Sequence, residues 1–217
     1  MKLGCDLGEG AGHDDELVAL IDLASVGCGA HAGSLRESLR VAGRCWGMGL
    51  IVGAHPGYPD REHFGRLELG LTLESITELI EEQVERLAAR GPLTFIKPHG
   101  ALYHRCQQDL EAARALARVG ARRRMALMGQ PGRAIVEAGS ALGVQVLQEV
   151  YADRRLAPDG SLVPRSRPGA ILSPKAAARQ ARRLLASAAG DVVTVHGDSP
   201  RAVEVASAVR RELFPSL

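Results

Sequence analysis

The chain has 217 residues, 46% of them hydrophobic and 24% charged, with 27 Lys and Arg against 25 Asp and Glu. A chain of this length supports one large core without disulfide or metal staples, and the composition excludes a disordered polymer. The net charge of +2 and the 3% aromatic content offer neither a basic face nor a stacking platform, so no nucleic acid partner is expected.

No apolar run reaches the ~20 residues that span a bilayer, and the start carries no signal-peptide core, so a cytoplasmic protein without membrane contact is expected. Cys5, Cys28, Cys45 and Cys106 form no CxxC pair, and reduced, unpaired thiols are expected.

Runs that are apolar throughout recur at 2–6, 25–28, 50–53, 93–96, 125–128, 144–150 and 192–195. Such runs suit parallel strands covered on both faces. Helical patterns lie between them. Leu35, Leu39, Ala42 and Trp46 share one stripe, with Arg36, Arg40 and Arg44 on another. Thr72 is placed to cap a helix on which Leu73, Ile76, Ile80, Val84 and Leu87 oppose Glu78, Glu81, Glu82 and Glu85. Ser173–Pro174 and Ser199–Pro200 read as N-caps followed by a first-turn proline, and Gly190 as a helix C-terminus. The Arg122–Arg124 run reads as a solvated surface. About seven β–α units in a row, with no linker, predict a single α/β domain over residues 1–217.

Nearly every apolar run leads into a polar or glycine-rich tail: DLGEG at 6–10, CGAHAG at 28–33, AHPGYPD at 54–60, KPHGALY at 97–103, EVYADR at 149–154 and HGD at 196–198. The loops leaving the carboxyl ends of barrel strands share one face, whereas in an open sheet only loops at a switch point meet. A closed or nearly closed barrel is therefore expected, with Asp6, His31, His55, His99, Glu149 and His196 around one cavity. Any single histidine or turn glycine in this set has an ordinary packing explanation; four histidines at equivalent positions point to a site. Two nucleotide motifs fail. Gly8-x-Gly10 would need a third glycine at position 13, which is His13, and Lys2, Lys97 and Lys175 all lack the surroundings of a P-loop.

In combination and order, these segments, with FGR at 64–66 and LVPR at 162–165, resemble the LamB/YcsF family over essentially the whole chain. The resemblance implies a distorted, TIM-like (β/α)7 barrel like that of the polysaccharide deacetylases. It also implies ATP-dependent hydrolytic opening of 5-oxo-L-proline to L-glutamate, in a complex with 5-oxoprolinase subunits B and C. The chain departs from the family pattern at Gly4, Ser25 and His104, where asparagine is usual, at Ala30, where an aromatic is usual, and at Ser34, where aspartate is usual.

A five-membered lactam is an unactivated amide, which gives a physical reason for coupling its hydrolysis to ATP. Such a site needs cations, carboxylates and a proton shuttle. Asp6 and Glu9 are expected to bind Mg²⁺ arriving with ATP or to activate water, with His31, His55 and His99 as acid–base groups. No resident metal is assigned. Lys97, Arg154 and Arg165 are expected as anion clamps, and Glu149, Asp153, His196 and Asp198 complete the rim. Backbone N–H groups at Gly8, Gly10, Gly29 and Gly33 are expected to bind substrate or phosphate. Two other classes stay open: a metal-dependent deacetylase or amidohydrolase working without ATP, and a non-catalytic subunit that only binds substrate.

Overall fold

The computed structural model of the chain describes residues 1–215. In chain order its elements are β1 (Lys2–Leu7), α1 (Asp14–Val18), β2 (Leu23–Gly27), α2 (Leu35–Gly47), β3 (Ile51–His55), α3 (Leu73–Ala88), β4 (Phe95–Ile96), α4 (Gly100–Gln108), α5 (Leu110–Arg123), β5 (Ala126–Gly129), α6 (Ala134–Ala141), β6 (Val146–Tyr151), α7 (Pro174–Ala186), β7 (Val192–His196) and α8 (Ala202–Leu213). Each apolar run of the sequence forms a strand, with its ends shifted by at most two residues. The strands are parallel and pair in chain order, and β7 returns to β1 to close the barrel. The closing register runs from Lys2 opposite Val192 to Asp6 opposite His196, so it sets two polar strand ends side by side. Closure also removes the two unpaired edges that an open sheet would leave.

Leu23, Phe95, Met128 and Val192 form a buried cluster separate from the larger core between strands and helices. They come from four different strands and fill the barrel interior, as barrel interiors generally are filled. The fit is tight at Gly53, where a Cβ would lie 2.4 Å from the Phe95 ring, and at Gly4, where it would lie 2.9 Å from Val192. Gly4 therefore stands where a larger side chain would have to displace the plug. With the interior filled, open space remains at the mouth formed by the carboxyl ends of the strands.

Local signals set most of the helices. Thr72 and Ser173 accept hydrogen bonds from the N–H groups of Ser75 and Ala176, capping α3 and α7, with Pro174 in the first turn of α7. Ile76, Ile80, Val84 and Leu87 are buried on α3, as their spacing predicts.

Three expectations are corrected. The fully buried residues of α2 are Ser38, Val41, Ala42 and Cys45, rotated from the predicted stripe, of which Leu39 and Trp46 are partly buried against the core; Trp46 donates its indole N–H to the Pro92 carbonyl at 3.0 Å. Ser199–Pro200 forms a turn ahead of α8 instead of its cap, which falls at Arg201. Gly190 ends no helix; it lies against β6, where a Cβ would meet the Gln148 carbonyl at 2.7 Å. Ser34 accepts from Glu37 N–H and caps α2, a role serine fills well. Cys5, Cys28, Cys45 and Cys106 are all free and buried. Among the described residues, no helix is long and apolar enough to cross a membrane.

Candidate active site at the barrel mouth

Two polar clusters meet at the mouth. The first centres on Lys97, just past β4. Its ammonium lies 2.7 Å from Asp6 Oδ1 on β1 and 3.1 Å from Glu149 Oε2 on β6, with all three side chains almost fully buried. Thr194 on β7 donates a further hydrogen bond to Glu149 at 2.9 Å. Burial alone would lower Lys97, but Asp6 and Glu149 raise it above the ordinary lysine range. Burial alone would likewise raise Asp6, yet Lys97 and the neighbouring histidines hold it well below the usual carboxylate range. The cluster is thus a buried ion network spanning three strands. Breaking such a pair by removing one partner typically costs about 3–5 kcal/mol.

The second cluster contains Glu9, His31, His55 and His99. Glu9 Oε1 is 3.0 Å from His31 Nε2 and 3.0 Å from His99 Nδ1, and His55 Nε2 is 3.0 Å from His99 Nδ1. The His31 and His99 rings stack at 3.9 Å. Two backbone carbonyls orient this group. His55 Nδ1 lies 2.7 Å from the Lys97 carbonyl, and His99 Nε2 lies 2.8 Å from the Phe64 carbonyl. Since a carbonyl oxygen only accepts, each of those ring nitrogens carries the proton. Burial lowers His55 to about 3 and also lowers His31 from the ordinary histidine value, against the opposing pull of Glu9. Burial would raise Glu9, but the His31 and His99 contacts hold it well below its ordinary value.

Opposite these groups, Asp153 just past β6 accepts from both the backbone N–H and Nδ1 of His196, the latter at 3.0 Å. Burial would raise Asp153, and the His196 contacts lower it below the ordinary range. Tyr151 stacks on the His196 ring at 5.3 Å. The long loop from β6 to α7 carries Arg154 and Arg165. Arg154 is 6% exposed; it donates to the Val163 carbonyl at 2.7 Å, while its Nε has no partner. Burial lowers its guanidinium from the ordinary arginine value. Asp198 links the outer rim by pairing with Arg165 at 2.9 Å and Arg66 at 2.6 Å.

A cavity of about 480 Å³ lies between these clusters. Of the residues expected at the site, Asp6, His55, Lys97, His99, Arg154, Arg165 and His196 line it. Glu9, His31, Glu149, Asp153 and Asp198 stand behind them through the contacts just described.

Two expectations differ from the geometry. The four glycines do not line the cavity. The N–H of Gly8 is taken by Asp14, a Cβ on Gly33 would lie 2.4 Å from the Gly8 carbonyl, and one on Gly29 would lie 2.5 Å from Leu35 N. With Gly10 packed on Gly33 as well, these residues let two loops touch away from the cavity. Lys97 is also no free anion clamp, because two carboxylates already neutralise it.

Arg66, Tyr103 and Tyr151 line the cavity without having been assigned a role from sequence, although each sits within a segment that carries the family resemblance. Phe64 contributes through its carbonyl and adopts a φ of +58°, a conformation with no signature in its residue type.

The sequence profile of the LamB/YcsF family matches residues 1–215. The chain is 38% identical to the 5-oxoprolinase A subunit of Neisseria meningitidis serogroup C over 99% of this chain and 96% of that protein. It is 36% identical to the 5-oxoprolinase A subunit of Chloroflexus aurantiacus over 98% and 94%. Among solved structures it resembles the lactam utilization protein of Thermus thermophilus, with a TM-score of 0.89 and 35% identity over 100% of this chain and 96% of that one. With a match along nearly its full length in profile, sequence and fold, the chain belongs to the LamB/YcsF family.

Proposed function

We propose that this chain supplies the site at which 5-oxo-L-proline, a small lactam bearing a carboxylate, is opened to L-glutamate. The assembly would be ATP-dependent and would contain 5-oxoprolinase subunits B and C. The names of the relatives support the lactam and the multi-subunit setting. The observation that carries the reading is the polarity of the cavity. Its β6–β7 side is lined by the guanidinium-bearing Arg154 and Arg165, while its β1–β4 side is lined by Asp6, His55 and His99.

In this reading Arg154 and Arg165 bind the substrate carboxylate through charge-assisted hydrogen bonds. His196 serves as the proton shuttle: Asp153 accepts its Nδ1 proton, which leaves the Nε2 lone pair available. Water adds to the lactam carbonyl as His196 Nε2 takes one of its protons. The C–N bond then breaks and the same proton passes to the departing nitrogen, so atoms and charge balance. Tyr151, stacked on His196, holds the ring in place.

The described residues do not fit a triphosphate. Lys97 is already paired twice, and the glycine turns are closed by packing. We therefore route no step through the nucleotide on this chain and assign ATP, with its Mg²⁺, to the partner subunits.

The test is glutamate formation from 5-oxoproline by the chain alone and with both partners, each with and without ATP. We expect turnover only in the ATP-supplied assembly, a raised KM for Arg154→Ala and a lowered kcat for His196→Ala. Robust glutamate formation by the isolated chain would remove the partner requirement, and wild-type kinetics in both variants would remove the site.

A further inference from the structure

We propose that Glu9, His55 and His99 bind one divalent transition-metal ion, of the class represented by Zn²⁺ and Mn²⁺, with an open position toward the cavity. The direction of the hydrogen bonds carries the inference. His55 gives its Nδ1 proton to the Lys97 carbonyl and His99 gives its Nε2 proton to the Phe64 carbonyl. In the neutral rings the remaining nitrogens, His55 Nε2 and His99 Nδ1, are bare lone pairs. These two lone pairs face each other at 3.0 Å, and a carboxylate oxygen, Glu9 Oε1, stands 3.0 Å from one and 3.6 Å from the other. With both rings neutral all three atoms are acceptors, and either a proton on His99 Nδ1 given to Glu9 or a metal ion between the three relieves the repulsion.

The spacing suits a metal ion. Bonds of about 2.0–2.1 Å at tetrahedral angles place ligand atoms about 3.3 Å apart, which matches the observed 3.0, 3.0 and 3.6 Å. Two imidazoles and one carboxylate are a ligand set for ions of this class. Among the described residues, this is the one group of three His, Cys, Asp or Glu side chains whose ligand atoms gather so closely. Each ligand is also held from behind, as metal ligands commonly are: His55 and His99 by the two carbonyls, and Glu9 by His31 Nε2 at 3.0 Å. Lys97 offers Glu9 no competing charge, since its ammonium is occupied by Asp6 and Glu149.

His55 and His99 line the cavity, so an ion on them would meet a water there and lower its pKa toward neutrality. That use rests on the function proposed above, whereas occupancy of the site does not.

The experiment is calorimetric titration of the chelator-stripped full chain with Zn²⁺ and with Mn²⁺, together with elemental analysis and the visible spectrum of the Co²⁺ form. We expect one ion per chain and a Co²⁺ spectrum of nitrogen–oxygen ligation. Loss of a ligand in Glu9→Gln, His55→Ala or His99→Ala should weaken binding roughly 100-fold or more, with circular dichroism of the metal-free variants unchanged. His63→Ala, which removes an exposed histidine paired with Asp60, should leave the stoichiometry at one.

Where a variant fails to fold, the wild-type Co²⁺ spectrum decides, and a spectrum of free aqueous Co²⁺ would overturn the site. So would nitrogen-15 shifts showing His99 protonated on both ring nitrogens in the presence of saturating Zn²⁺. An ion bound without lactam turnover in the assembly would sink the proposed function and keep the metal site. Turnover with no ion bound would do the reverse.

Discussion

The two sides of the barrel mouth solve opposite electrostatic problems. On the β1–β4 side Glu9, His31, His55 and His99 are almost fully buried, with His55 and His99 reaching the cavity wall. On the β6–β7 side His196 and Arg165 are 16% and 21% exposed at the side chain, and the unpartnered atoms include a donor, Arg154 Nε, as well as the acceptor Glu149 Oε1 of the Lys97 cluster. One side therefore gathers histidines and carboxylates, and the other brings guanidinium groups to the mouth. A small substrate with a carboxylate at one end and a hydrolysable amide at the other matches that polarity. Lys97 belongs to neither side: held by Asp6 and Glu149, it ties β1, β4 and β6 together between them.

The largest expected effect breaks that tie. Lys97→Met leaves Asp6 and Glu149 buried without their ammonium and should lower unfolding stability by about 3–5 kcal/mol, measured by urea denaturation. A loss under about 1 kcal/mol would mean that the pair is solvated and the division between the sides unreal. Next comes the outer side. Removing the charged hydrogen-bond donor in Arg154→Ala should raise the KM for 5-oxoproline roughly 10–100-fold, consistent with the strength of such bonds, with kcat changed much less. A kcat defect at unchanged KM would move substrate binding elsewhere.

A smaller effect sharpens how dry the β1–β4 side is. Burial pushes the Cys28, Cys45 and Cys106 thiols up to about 12 and raises Cys5 well above its ordinary value. Because the folded value exceeds the unfolded value of 9.0, the stability this contributes is complete below pH 9 and is lost as pH rises toward 12. The loss approaches about 1.4 kcal/mol per pH unit for each such thiol. Denaturation curves at pH 8, 9 and 10 should show this decline, and Cys28→Ala should lessen it by one thiol's share; a decline unchanged in that variant would show that Cys28 is not among the titrating groups. The smallest effect belongs to the wet rim. Asp198→Asn removes a partner of Arg66 and Arg165 and should change stability by less than about 1 kcal/mol. A larger loss would show the rim to be as desolvated as the inner cluster.

The barrel was readable because its apolar runs are buried on both faces and separated by capped helices, as at Thr72 and Ser173. The histidines were readable as a set because each follows a strand, and strand ends share one face. The direction of their lone pairs was not. It depends on the carbonyls of Lys97 and Phe64, and any residue type supplies a carbonyl. The glycine turns misled for a related reason: a glycine that lets two loops touch looks, in sequence, like one that cradles an anion. Arg66 reaches Asp198 from a loop far away in sequence, and no local pattern encodes that meeting. At Lys97 the sequence supplied the charge, but the two carboxylates that neutralise it come from strands 91 and 52 residues away.

Glutamate release from 5-oxoproline, followed by chromatography in the assembly of this chain with 5-oxoprolinase subunits B and C and ATP, bears most directly on whether this mouth is the reaction site. The wild-type chain should support turnover. A chain carrying both Arg154→Ala and His196→Ala, folded by circular dichroism, should support none above the level of the partners alone. Equal turnover with that double variant would place the lactam-opening chemistry outside this cavity.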